Sequence, residues 1–370
     1  MKTFAMAEPT FGPTELMTTH VRPIALVLAL LAAPSLALAQ VTNWPTERAP
    51  RPLPANEVNF PPYQIKSLAN GLQVAVVEHQ EQPVVTLRLL VRAGGVNDPD
   101  GKQGVAMLTA ALLDQGTTSR SAAQIADAID TVGGGLGAGA YDDLSFVNVL
   151  VMKDSLAFGF ELLADVVRNP AFRAEELERQ RMQALSGLKV SYEDPDYVAR
   201  LVFGRLVYGF HPYGMPNTGT PESLPSIKRD DLVNFHNTWF VPNNAILGVV
   251  GDVTAAEAMA AAEKAFGNWQ RRELPAGAPA APPEPTRRVV VVNKPDAVQT
   301  EVRVGHLGLP RTHPDYLAFD VATKILGGEG GNRLQWVLRS ERGLTYDASA
   351  DIQALKQSGE AADYLEQSFL

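Results

Sequence analysis

Apolar positions recur at strand spacing over Tyr63–Leu68 and Leu72–Glu78, and the Asn70-Gly71 pair between them is the strongest short-range hairpin signal. Val84–Arg92 continues in apolar and β-branched residues and predicts a third strand. Apolar spacing then changes to a helical period over Gly104–Leu113 and Ala122–Val132, with Ser121 placed to cap the second helix. Strands follow at Gly137–Tyr141 and Ser145–Met152, and then a long helical region reaches about Thr238. Pro242-Asn243-Asn244 interrupts it, Ala245–Val250 reads as a buried strand, and Ala255–Trp269 as a closing helix.

Composition shifts at Leu274–Thr286, LPAGAPAAPPEPT, a proline/alanine linker. After it the pattern starts again, with strands Val289–Val292 and Thr300–Leu307, helices Tyr316–Leu326 and Asn332–Arg342, and strand Leu344–Ile352. This order repeats Tyr63–Tyr141 element for element, so the chain reads as two copies of one unit. The fold class is α/β (α+β): tandem homologous domains, each a largely antiparallel sheet flanked by helices. The domains are expected at 63–272 and 288–370, joined by a linker at 273–287. The first copy runs for about 210 residues and the second for about 84, and Glu360–Leu370 carries no periodic pattern. The second domain is therefore expected to be incomplete, through a truncated or frame-shifted C-terminus.

The N-terminus adds an address. Pro23–Ala39 is uncharged and apolar, follows Arg22 and ends in Ala37-Leu38-Ala39. That is the form of a secretory signal peptide over 1–39, cleaved after Ala39, and Met17 is an alternative start. The run is short for a membrane span and contains Pro34, so no stable membrane anchor is expected. Residues 40–62 read as an extended, proline-rich lead-in. The 370 residues contain no cysteine, which removes disulfides, thiolate metal sites and a lipid anchor on cysteine. A net charge of −9 argues against a nucleic-acid partner, which calls for basic patches that neutralise phosphate.

Common catalytic motifs do not fit. There is no nucleophile elbow or P-loop, and Gly135-x-Gly137-x-x-Ala140 leads into a strand where a dinucleotide fingerprint needs a helix. The Gly327–Gly331 run reads as a joint between two helices. Six histidines are scattered: His20 lies in the leader, His79, His211 and His236 are far apart, and Pro310 separates His306 from His313. Each reads as a structural residue.

The stretch Lys102–Ser121, KQGVAMLTAALLDQGTTSRS, resembles the signature helix of the pitrilysin/insulinase family of zinc metallopeptidases, with Gly104, Ala106, Gly116 and Thr117 in the matching places. Asn70-Gly71-Leu72, His211-Pro212-Tyr213, Gly219-Thr220, Pro242-Asn243-Asn244 and Gly251-Asp252 resemble further family motifs in order. Leu326-Gly327-Gly328, Arg333-Leu334 and Leu338–Tyr346 do so in the second copy.

In that family two histidines at i and i+4 and a distal glutamate hold zinc, and a glutamate at i+3 is the general base. The resemblance puts Met107 and Ala111 at the histidine positions, Ala110 at the base, and Gly187 or Leu188 at the distal ligand. Thioether, methyl, hydrogen and isobutyl groups cannot do this work. Glu175, Glu176 and Glu178 precede the ligand position by about three turns and read as a solvated helix face. Arg339 and Tyr346 match the family's arginine/tyrosine pair, seven residues apart, which contacts substrate and its developing oxyanion.

The resemblance thus implies a non-catalytic subunit of a periplasmic heterodimeric zinc metallopeptidase, inactive alone and binding no cofactor itself. Zinc is expected in a partner subunit of the same family, and an extended peptide is the expected substrate. The alternatives are a structural or peptide-binding protein derived from the peptidase fold, or a non-functional truncation product.

Overall fold

The computed structural model describes residues 61–275, 284, 286–295, 297–328, 330–356 and 359–368. The expected signal peptide, residues 40–60 of the lead-in and residues 276–283 of the linker lie outside the described residues.

Strands β1 (Tyr63–Ser67) and β2 (Gln73–Glu78) form the expected hairpin, with Tyr63 opposite Val77. Gly71 turns it at a φ of 93°, a region that costs glycine no Cβ clash. The Asn70 amide ties the turn down by donating to the carbonyls of Phe266 (2.7 Å) and Trp269 (3.1 Å). Strands β3 (Val84–Val91), β4 (Gly135–Ala140), β5 (Ser145–Met152) and β6 (Ala245–Gly251) complete a six-stranded sheet ordered β1-β2-β6-β3-β5-β4. Only the β2/β6 pair is parallel.

Strand alternation sets the core. Val85, Leu87 and Leu89 of β3, Val147, Val149 and Val151 of β5, and Leu247 and Val249 of β6 all point to one buried face. Helices α1 (Val105–Ala111), α2 (Ala122–Thr131), α3 (Leu156–Arg168), α4 (Ala174–Ser191), α5 (Pro195–Tyr208), α6 (Ser223–Ser226), α7 (Arg229–Trp239) and α8 (Ala255–Phe266) divide the remaining chain. Helix α3 contributes Phe160, Leu163, Val166 and Val167 to this core. Each such buried side chain contributes about 1.5–3 kcal/mol. Gly159 lets α3 approach so closely that a Cβ there would lie 2.9 Å from the Val151 side chain. Ser121 caps α2 as expected: its hydroxyl accepts from the Gln124 amide (3.2 Å) and the Gln124 side chain accepts from the Ser121 amide (2.8 Å).

After the expected linker come β7 (Gln299–Gly308), α9 (Tyr316–Gly327), a π-helix (Gln335–Glu341), β8 (Asp347–Ala354) and β9 (Gly359–Ser368). These strands form an antiparallel sheet ordered β7-β9-β8, an order that parallels β3-β5-β4 in the first sheet, as expected for a repeated unit. Three expectations need correction. Val289–Val292 is not a strand. Residues 360–368, which carry no sequence period, lie in the central strand β9, where backbone pairing on both sides fixes an extended chain whatever the side-chain pattern. The expected helix Asn332–Arg342 widens to i→i−5 pairing, as in the 3.1 Å bond from the Arg342 amide to the Val337 carbonyl.

Polar contacts join elements of the two sheets. The Arg303 guanidinium on β7 pairs with Asp196 at the start of α5. Asp143 accepts from the Tyr213 hydroxyl (2.7 Å) and from the Lys356 amide (2.8 Å), beside a small apolar cluster of Tyr208, Tyr213 and Leu355. No described helix is long and apolar enough to cross a membrane.

Candidate active-site face

Helix α1 carries the family-signature positions, and a carboxylate fixes where it starts. Asp98 accepts from the Gly104 amide through Oδ2 and from the Ala106 amide through Oδ1, both at 2.7 Å. A helix's first amides have no partner within the helix, and a carboxylate there also meets the positive end of its dipole. Burial pushes the Asp98 carboxyl up to about 7 against the lowering effect of those amides, and the charge of Asp142 raises it further. Burial likewise raises the pKa of Asp142 itself, which accepts from the Asn217 amide group at 3.0 Å. At Gly104, with φ at 101°, the chain turns into α1 against Gly219 and Leu224. Lys102 pairs with Asp231 of α7 at 2.5 Å.

Along α1 the side chains are apolar. Met107 is half-buried and packed on the core, Ala110 is fully buried and Ala111 partly so. On α4, Gly187 is exposed, with no atom within 4 Å of where its Cβ would stand, whereas Leu188 points into the core. Arg179 ties the two helices together by donating to Gln115 just beyond α1 while pairing with Glu176 at 2.8 Å. Glu178 pairs with Arg181 at 3.2 Å, and Glu175 is exposed, so these carboxylates are spent on the surface of α4.

Zinc in this fold family needs imidazole or carboxylate donors, and the side chains at Met107, Ala110, Ala111 and Gly187 or Leu188 supply none. Among the described residues no group of three or more histidines, cysteines or carboxylates is placed to hold a metal. The residues present do not fit the ion.

Beside α1 runs β4, the edge strand of the sheet, with sequence GLGAGA. It pairs with β5 alone, so its other backbone edge pairs with no strand among the described residues. Added Cβ atoms at Gly135 and Gly137 would meet nothing within 4 Å, which leaves space on the sheet face there.

The structure brings Arg339 and Tyr346 together: the guanidinium carbon lies 4.3 Å from the ring centroid, and both side chains are exposed. Neither side chain is hydrogen-bonded or ion-paired to α1 or α4 among the described residues. The histidines serve structure. His236 is buried, stacks on Phe240 at 4.9 Å and donates through Nε2 to the Val167 carbonyl at 2.7 Å. Burial lowers its pKa to about 4, although that bond favours the charged form. His211 accepts from the Tyr213 amide through Nδ1 at 3.2 Å and so starts the turn Pro212–Gly214.

Sequence reasoning missed Asp98, whose acidic side chain six residues before Gly104 is the one available signal. It also missed Asp165, which accepts from Thr117 (2.8 Å), Ser119 (3.0 Å) and Arg120 (2.6 Å) and so anchors the turn after α1. Nothing local in the sequence marks that partnership, because it joins residues more than forty positions apart.

Residues 73–216 match the family model for insulinase (peptidase family M16), and residues 226–362 match that for the peptidase M16 inactive domain. An uncharacterised zinc protease of Mycobacterium leprae is 30% identical over 307 residues, covering 80% of this chain and 67% of that protein. A crystal structure of a peptidase M16 inactive domain from Pseudomonas fluorescens superposes with a TM-score of 0.79 at 31% identity, covering 83% of this chain and 74% of that one. A protease from Helicobacter pylori shares the fold with the same TM-score at 22% identity, covering 84% of this chain and 76% of that one.

Proposed function

Because the chain belongs to the insulinase (M16) family of peptidases, we propose that it is the non-catalytic subunit of a periplasmic heterodimeric zinc metallopeptidase. The observation that carries this reading is the pairing of an apolar α1, with Met107, Ala110 and Ala111 in place of ligands and base, with an exposed Arg339/Tyr346 pair. A chain without the metal site has no use of its own for oxyanion donors, whereas a partner that holds zinc does.

In this reading the chain binds and orients substrate. An extended peptide adds to the unpaired edge of β4 as a further strand. The Arg339 guanidinium, with donors fixed in one plane, and the Tyr346 hydroxyl donate to the peptide carbonyl as charge develops on its oxygen. Stacking holds the two groups in one geometry before substrate arrives. Zinc and the general base come from the partner subunit, a zinc-binding member of the same family.

The test is reconstitution. A family member with an intact metal motif, purified from the same periplasm, should gain peptide hydrolysis when this chain is added in equimolar amount. Turnover that does not change with this chain present contradicts the proposal.

A further inference from the structure

Strand alternation gives the first sheet an outward face as well as a core. Leu136, Ala138 and Ala140 of β4 turn to the core, which leaves Gly135, Gly137 and Gly139 on the opposite face. Gly137 lies opposite Asn148 of β5, Asn148 opposite Arg88 of β3, and Arg88 opposite Gly248 of β6. Directly paired residues share a face, so these four form one line across the sheet. The ends of that line carry no side chain, and Asn148 and Arg88 occupy its middle. Among the outward-facing side chains of β3, β4 and β5, Arg88 alone is charged.

Both middle residues have unused polar groups. Arg88 is exposed and pairs with no carboxylate among the described residues. Its guanidinium carbon lies 5.3 Å from the centre of the Phe146 ring on β5, so it leans towards β4. Asn148 is half-buried, and its Oδ1 has no hydrogen-bond partner among the described residues. Gly137 stands as no obstacle beside them, since a Cβ there would meet nothing within 4 Å.

A peptide seated on β4, as proposed above, brings its own side chain to this line. Strands lie about 4.8 Å apart, so the added strand runs roughly 10 Å from β5 and roughly 14 Å from β3. Its residue opposite Gly137 faces outward, across the empty glycine, towards Asn148 and Arg88. A carboxylate in that place accepts from the Asn148 amide group and from the guanidinium. The distance favours glutamate, which is one methylene longer than aspartate.

We propose that Arg88, with Asn148, is a specificity-determining residue that selects peptides carrying a glutamate opposite Gly137. The inference rests on the β4 seating of the peptide and uses nothing of the Arg339/Tyr346 pair. An exposed ion pair alone contributes little. Here the guanidinium is already stacked and the amide is half-buried, so a moderate preference follows.

The probes are blocked peptides of alternating threonine and alanine that differ only at one central residue: glutamate, aspartate or glutamine. Each is titrated onto the full chain while amide exchange in β4 is followed. The glutamate peptide should slow that exchange and bind about tenfold more tightly than the glutamine peptide, with aspartate close to glutamine. Arg88→Gln should abolish the difference without moving the melting temperature, because the side chain is exposed. Gly137→Val should abolish it too, by filling the space between peptide and arginine, and that space is open in the folded chain. Peptides that protect β4 with no preference for glutamate, or with one that Arg88→Gln keeps, overturn this inference alone. If no peptide protects β4, the seating itself falls and the inference with it.

Discussion

The guanidinium of Arg339 lies 4.3 Å from the centre of the Tyr346 ring, on two segments that share no regular element. The contact spans the turn between the π-helix and the residue just before β8. Tyr346 is 65% exposed, and its hydroxyl has no hydrogen-bond partner among the described residues. Tyr346→Phe should leave the melting temperature of the free chain unchanged. In the reconstituted heterodimer it should lower turnover by about 10²–10³, the usual effect of removing one oxyanion donor. Arg339→Ala should lower turnover and also raise KM, because it removes both a substrate donor and the stack.

Thr109 gives a stability prediction on the site helix itself. Its hydroxyl is fully buried and has no partner among the described residues. An unsatisfied buried polar group costs about 1–3 kcal/mol, and replacing it by an apolar group of the same shape recovers part of that. Thr109→Val should raise the midpoint of urea unfolding by roughly 1 kcal/mol equivalent with no change in slope.

Two buried groups oppose each other in the pH dependence. Asp98 has its folded pKa raised to about 7, so its contribution to stability is fully present below the ordinary carboxylate range and is lost as pH rises through 7. His236 has its folded pKa lowered from 6.5 to about 4, so its contribution is present above 6.5 and is lost as pH falls towards 4. The displacement of His236 corresponds to roughly 3 kcal/mol. Chemical denaturation between pH 4 and 7 should show Asp98→Asn losing stability on acidification. His236→Gln, which can still donate to Val167, should gain stability over the same range. A wild-type slope unchanged in both variants would contradict these assignments.

Much of this was legible in the sequence because it is local. Asn70-Gly71 and Ser121 act on backbone within a few residues, and both stand where the sequence put them. Strand Val289–Val292 failed because a strand is a pairing, and the neighbour it needs is not set by its own residues. Strand β9 was missed for the converse reason, since two neighbours extend a segment that has no pattern of its own. At the candidate site the motif positions on α1 could be read only through the resemblance to the family signature, whereas Asp98 emerged only when its two hydrogen bonds to that helix were seen.

The account's central claim is that this chain supplies substrate contacts but no metal. Elemental analysis of the purified chain after dialysis against buffer containing micromolar zinc tests it most directly. With Met107, Ala110 and Ala111 on α1 and Gly187 or Leu188 on α4, the account predicts no tightly held zinc at any stoichiometric level. About one zinc per chain, retained through dialysis, would contradict it.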